Sequence, residues 1–217
     1  MSFRFLSASC VAVGTFNIYI IQPQWLAQMD VWPKGAKCLI QTDLIRPGFQ
    51  FHRIENDPLR WRVRPESLVV ETSEFGADCG KPIADVLQHL HWTRIEAVGS
   101  NESYSCPVAD ASDLIDRMLS LGGGPPEGYA DSQRSWHRAF KRSDTVTNVQ
   151  LSVNPADDKA TVALNVHTDV THQGSQAEVT QMAQDTCRLF REQLAEAREL
   201  ASNLLSVELE NELVNAS

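Results

Sequence analysis

The sequence has no long apolar run. No stretch approaches the roughly 20 consecutive apolar residues that a membrane-crossing helix needs, so no membrane span is expected. It also lacks the paired cysteine spacing of a disulfide or zinc framework. Its five cysteines, Cys10, Cys38, Cys79, Cys106 and Cys187, are odd in number and widely scattered. That usage fits a reducing compartment, where thiols serve as small buried hydrophobes, and the expected location is the cytoplasm. Basic residues are fewer than acidic ones, 19 against 28, giving a formal charge of -9. Generic attraction to nucleic acid or to an anionic membrane is therefore not expected.

Catalytic signatures are missing as well. Gly122-Gly123-Gly124 is followed by Pro125 and Pro126, where a phosphate loop would open a helix with Gly-Lys-Ser or Gly-Lys-Thr. No Ser, Cys or Lys stands in a recognisable nucleophile context. The first residues carry a lone Arg4, and Ser7 and Ser9 interrupt their apolar run, which predicts a strand rather than a secretory signal. The expectation is no cofactor and no metal.

What is present is ordinary globular material: 217 residues, 42% apolar and 22% charged, enough to bury a core. Alternation predicts a first strand within residues 3–21, with Phe16, Ile18 and Ile20 on one face, and Pro23 opens a short helix. Strands are expected at Cys38–Leu44, on either side of a turn at Glu55–Pro58, and at Leu68–Thr72. A short amphipathic helix follows through Ile83, Val86, Leu87 and Leu90, then a strand at Arg94–Val98 and a helix through Leu114, Ile115, Met118 and Leu119. Beyond the glycine-rich stretch, residues 135–142, 146–153 and 160–170 read as strands.

The last third organises the rest. Val179, Ala183, Thr186, Phe190, Leu194, Ala197, Ala201 and Leu204 recur at steps of four and three from Ser175 to about Leu205, which predicts one long amphipathic helix with its apolar seam on a sheet. Glu178, Asp185, Arg188, Arg191, Glu192, Glu196, Arg198 and Glu199 are assigned to its wet side. The fold class is α+β, an antiparallel sheet with helices packed on one face. Residues 1–121 and 135–217 form two candidate halves joined by a linker at 122–134, or one continuous domain. Residues 49–92 and 135–205 both run strand, strand, strand, helix, which suggests two similar halves.

Two basic stretches are the main functional signal. Residues 44–64 hold Arg46, Arg53, Arg60, Arg62 and Arg64 against Glu55 and Asp57. Residues 134–142 hold Arg134, Arg138, Lys141 and Arg142 with no acid. The period of two puts Arg60, Arg62 and Arg64 on one strand face, a possible cradle for phosphate or carboxylate oxygens. The candidate ligand-binding residues are therefore Arg60, Arg62, Arg64, Arg138, Lys141 and Arg142. The competing reading is that neighbouring strands supply acids to pair with them.

Histidines support other readings. His89 and His91 between Cys79 and Cys106 do not have the spacing of a zinc pattern. His91-Trp92-Thr93 and His167-Thr168-Asp169 match in part the paired His-x-Thr or His-x-Ser motifs of phosphoesterases with a duplicated fold, so His91, Thr93 and His167 are candidate catalytic residues for a phosphodiesterase-like enzyme. Asp169 stands where the second hydroxyl belongs. At the end of the chain Leu205, Val207, Leu209 and Leu213 alternate with Glu208, Glu210 and Glu212, which suggests an exposed tail that docks on a partner. The favoured reading is a non-enzymatic binding or assembly protein: a subunit of a complex or homo-oligomer, or a sensor of an anionic ligand. Nucleic-acid binding through the arginine-rich face is a further alternative.

Overall fold

The structure is a computed structural model; it describes residues 1–31, 39–46, 49–119, 134–171 and 174–210. The glycine-rich stretch 122–133, Pro33, Gly35 and Leu213 lie outside those residues. The fold is α+β. In chain order the elements are β1 (Ser2–Gly14), α1 (Pro23–Gln28), β2 (Leu39–Arg46), β3 (Phe49–Asn56), β4 (Leu59–Arg64), β5 (Ser67–Thr72), α2 (Gly80–His89), β6 (Ile95–Pro107), α3 (Ser112–Leu119), β7 (Arg134–Arg142), β8 (Thr145–Asn154), β9 (Lys159–Asp169), α4 (Gln176–Arg188), α5 (Phe190–Leu205) and β10 (Glu208–Glu210).

Nine strands form one antiparallel sheet in the order β2-β3-β4-β5-β1-β6-β9-β8-β7, and the short β10 adds to β1 in parallel. The chain runs through one scheme twice, from β1 to α2 and again from β6 to α5. A long strand (β1 or β6) is followed by a helix and then by a meander (β3-β4-β5 or β7-β8-β9) whose last strand returns beside the first. The two long strands pair with each other at the centre, so strands from both halves share one sheet.

Alternation decides the two faces of the sheet. Phe3, Phe5, Ala8, Cys10 and Ala12 of β1, Trp61 and Val63 of β4, Leu68 and Val70 of β5, and Val162, Leu164 and Val166 of β9 are buried on one side. There α2 lies against β1 and β5, α4 against β6, and α5 against β6, β8 and β9. The other side is polar. On it, side-chain amides form a one-way chain across adjacent strands: Asn148 donates to Asn165 (2.9 Å), Asn165 to Asn101 (2.7 Å), and Asn101 to the Ser9 hydroxyl (3.3 Å). His137 Nε2 lies 3.0 Å from the Asn148 amide oxygen at its head.

Three expectations need correction. First, β1 ends at Gly14, and residues 15–22 are irregular. A Cβ on Gly14 would sit 2.2 Å from the Arg94 carbonyl oxygen, and the Thr15 and Phe16 amides bond the carbonyls of Arg94 and Pro65. These contacts turn the chain. Phe16, Ile18 and Ile21 become buried, while Ile20 is exposed. Second, the long helix divides at Leu189, which leaves the helical backbone and is 51% exposed. The start of α2 presses on this point: a Cβ on Gly80 would lie 1.9 Å from the Cys187 carbonyl oxygen. The seam survives the break, since Val179, Ala183, Thr186, Phe190, Leu194, Ala197 and Ala201 are all buried.

Third, the tail is not an exposed docking segment over its described residues. Ser206 adopts a left-handed backbone (φ 56°) that stops α5, and the chain then runs into β10. Leu205 and Val207 are buried and Leu209 packs against the core. The Arg117 guanidinium bonds the Leu205 carbonyl and ties this corner to α3.

Candidate functional site

The sequence candidates separate in space. Arg60, Arg62 and Arg64 lie on the polar side of β4, opposite Trp61 and Val63. They meet acids there: Arg62 pairs with Glu71 of β5 (3.2 Å), Arg64 approaches Glu66 (4.0 Å), and Arg53 next to them pairs with Glu55 (3.1 Å). Arg138, Lys141 and Arg142 belong to β7, beyond β5, β1, β6, β9 and β8. At about 4.8 Å per strand, β4 and β7 stand roughly 29 Å apart. The two basic sets do not form one cradle.

The histidines also separate. His91 and Thr93 sit in the connection from α2 to β6, where their carbonyls accept bonds from Thr180 and Gln176 of α4 (3.3 and 2.7 Å), on the helix side of the sheet. His167 is on β9, exposed on the polar side. His89 packs edge-on to Trp25. Cys10, Cys79, Cys106 and Cys187 are reduced and buried. A hydrogen bond to Cys187 (Sγ–Sγ 4.0 Å) and burial raise the Cys10 thiol pKa, while burial raises Cys79 to about 12 and Cys106 to about 11. Thiols held protonated in this way are inert core groups.

The site the structure does assemble lies around α5. Glu102, on the helix side of β6, is 4% exposed. Arg198 grips both of its oxygens (2.9 and 3.0 Å), and the Tyr104 hydroxyl donates to it at 2.7 Å. The Arg198 guanidinium also stacks on Phe75. Burial raises the Glu102 pKa, with the Tyr104 and Arg198 bonds pulling the other way. Burial and the adjacent Glu102 raise that of Tyr104. One turn earlier, Gln193 accepts a bond from Ser100 (2.9 Å). Arg198 therefore reaches inward from the side of the helix assigned to solvent.

A hollow flanks α5 on each side. One, of about 320 Å³, opens beside Phe75, Glu102 and Arg198. The other is a groove of about 570 Å³ between α5 and the β7–β8 hairpin. It exists because α5 covers β6, β9 and part of β8, while the sheet runs on to β7. Phe140, Val166, Leu189 and Leu200 give it an apolar lining, and the break at Leu189 exposes that side chain to it. Lys141 and Arg142 stand on the hairpin wall, Glu192 and Glu196 on the α5 wall. Among the described residues, neither Lys141 nor Arg142 has a carboxylate partner. Lys141 and Arg142 were readable from the basic run at 134–142. Leu189, Glu192 and Glu196 carried no signal, because only the folded sheet brings α5 to them.

No protein family and no curated protein matches this sequence. Among solved structures, the crystal structure of DynU16, a protein in the dynemicin biosynthetic locus, aligns over 90% of this chain and 98% of its own at 13% identity and a TM-score of 0.23. A likeness that low carries no argument.

Proposed function

We propose that the protein works by binding, and that its ligand is a small amphipathic molecule with one anionic head, held in the groove between α5 and the β7–β8 hairpin. The observation that carries this is the pairing of an apolar lining, at Phe140, Val166, Leu189 and Leu200, with Arg142 on the hairpin wall, which among the described residues has no ion-pair partner. The volume, about 570 Å³, is that of a typical small-molecule site. Arg142, on the same face of β7 as Phe140, would take the head by its planar fork, and Lys141, which alternates to the opposite face, would add only a nearby positive charge. Glu192 and Glu196 on the facing wall would repel a second anionic group, which disfavours polyphosphates and nucleic acid here. The placement of His91 and His167 on opposite sides of the sheet speaks against a shared phosphodiester site.

The test uses 8-anilinonaphthalene-1-sulfonate, an aromatic body with a single sulfonate. It is expected to bind with one-to-one stoichiometry. Lys141→Gln with Arg142→Gln, and separately Leu200→Trp to fill the groove, are each expected to weaken it about tenfold or more, equivalent to about 1.4 kcal/mol. Changing Arg60, Arg62 and Arg64 to Gln is expected to leave binding unchanged. Equal binding by the groove variants and the parent would sink the proposal.

A further inference from the structure

β7 is nine residues long, about 30 Å of strand, and is hydrogen-bonded to β8 in unbroken register from Arg134 to Arg142. Among the described residues no strand pairs with its outer edge. Alternate residues of β7, which α3 touches over part of its length, thus present backbone N–H and C=O groups on that edge. Register assigns Arg134, Trp136, Arg138, Phe140 and Arg142 to one face, because they stand opposite Val153, Leu151, Val149, Thr147 and Thr145. That face alternates cation and aromatic, a pattern that is symmetric about Arg138 although Trp136 and Phe140 differ. Trp136 and Phe140 are half-buried, Arg138 and Arg142 are exposed, and the Arg138 guanidinium lies 5.1 Å from the Phe140 ring centre.

We propose that this edge takes up an extended acidic segment of another protein as an additional strand, with acids opposite the arginines and apolar residues opposite Trp136 and Phe140. Charge decides between occupants. A second copy of β7 in full antiparallel register would put Arg138 against the partner's Arg138 and Arg134 against the partner's Arg142, and like charges directly opposite are destabilising. The arginines of this face, four residues apart on a strand without acids in a chain of net charge -9, instead match a segment with glutamate or aspartate at every fourth position. Main-chain bonds would supply affinity and the alternating side chains specificity. Because the cation-aromatic pattern is palindromic, parallel and antiparallel segments are both accommodated.

The experiment measures fluorescence anisotropy with a labelled nine-residue peptide, Glu-Ser-Val-Ser-Glu-Ser-Val-Ser-Glu, against a peptide of the same composition with its three glutamates adjacent. The alternating peptide is expected to bind at least about tenfold more tightly, and hydrogen exchange should show protection gained at alternate amides of β7. Arg138→Glu is expected to abolish the difference. Arg138→Gln, which keeps a polar side chain of similar length, is expected to weaken binding and tests the same point should the reversal disturb the strand. Leu200→Trp, which closes the groove under α5, is expected to leave peptide binding intact, so failure of the ligand proposal and failure of this one are distinguishable. Equal binding of the two peptides, no binding, or tighter binding of a single-stranded oligonucleotide that Arg138→Glu also removes would each overturn it.

Discussion

β4 and β7 are the two arginine-rich strands of the molecule, and their surroundings differ sharply. β4 lies inside the sheet, between β3 and β5, and both neighbours carry glutamates that face it, Glu55 and Glu71. Among the described residues β7 lies at the edge, with one neighbour whose facing residues are Thr145, Thr147, Val149, Leu151 and Val153. The same residue type thus ends in ion pairs on one strand and in exposed cations on the other. Local positive charge in a sequence says nothing about ligands until the acids around it are located.

The largest effects are expected where an arginine is structural. Arg198→Leu would leave the Glu102 carboxylate buried without its cation, which should cost about 3 to 5 kcal/mol in denaturant unfolding. The pH dependence has a definite sign. The folded protein holds the Glu102 proton to higher pH than the unfolded chain, whose ordinary value is about 4.5. Stability should therefore fall as pH rises from that value through the raised folded one, and Glu102→Gln should flatten the fall. Trp61→Ala on the inner face of β4, where the side chain is 1% exposed, should likewise cost about 3 to 5 kcal/mol. Trp136→Ala on half-buried β7 should cost less than about 2 kcal/mol, because less apolar surface is lost. A similar loss at both positions would show that β7 is as well covered as β4.

Smaller effects sharpen the contrast. Glu71→Gln releases Arg62 and should give β4 some of the character of β7. Unfolding should change by less than about 1 kcal/mol, as for partly exposed pairs, and binding of a simple anion such as 8-anilinonaphthalene-1-sulfonate should show a new, weak, salt-sensitive site. If no such site emerges, free arginines on this sheet are not enough for binding. Replacing Arg60, Arg62 and Arg64 by Gln together should shift the melting temperature least of all, since these pairs are screened by solvent.

Much of the fold could be read from residue periodicity. The β3–β4 turn follows from the turn residues at Glu55–Pro58, and helices α2 and α3 and the seam of α4 and α5 follow from apolar spacing. β6 could not be read beyond Val98, for a physical reason. From Gly99 to Ser105 its inward residues are Ser100, Glu102 and Tyr104 and its outward ones Asn101, Ser103 and Ser105, so neither face looks apolar. The inward polar groups are buried because Gln193 and Arg198 descend from α5 to meet them. That partnership is tertiary and overrides local propensity. The break at Leu189 and the return of the tail beside β1 were hidden for the same reason. Both depend on contacts, with Gly80 in one case and Ser2–Arg4 in the other, that lie far off in sequence. Of the groove, the hairpin wall was visible as charge and the helix wall was not visible at all.

The central position of β1 sets the order in which the chain can assemble. It precedes every one of its partners in the chain: Val13 waits for Ser67, Gly14 for Ile95, and Ser2 for Glu208. The meanders β3-β4-β5 and β7-β8-β9 can close locally through short turns. The seam between β1 and β6 demands that a long loop be closed first, which makes it the slow, topology-limited step of folding. Until it forms, the β6 edge of β1 stays open, even if β5 has already paired with the other edge. During synthesis, the element that ends up best protected is the one longest exposed to misassociation.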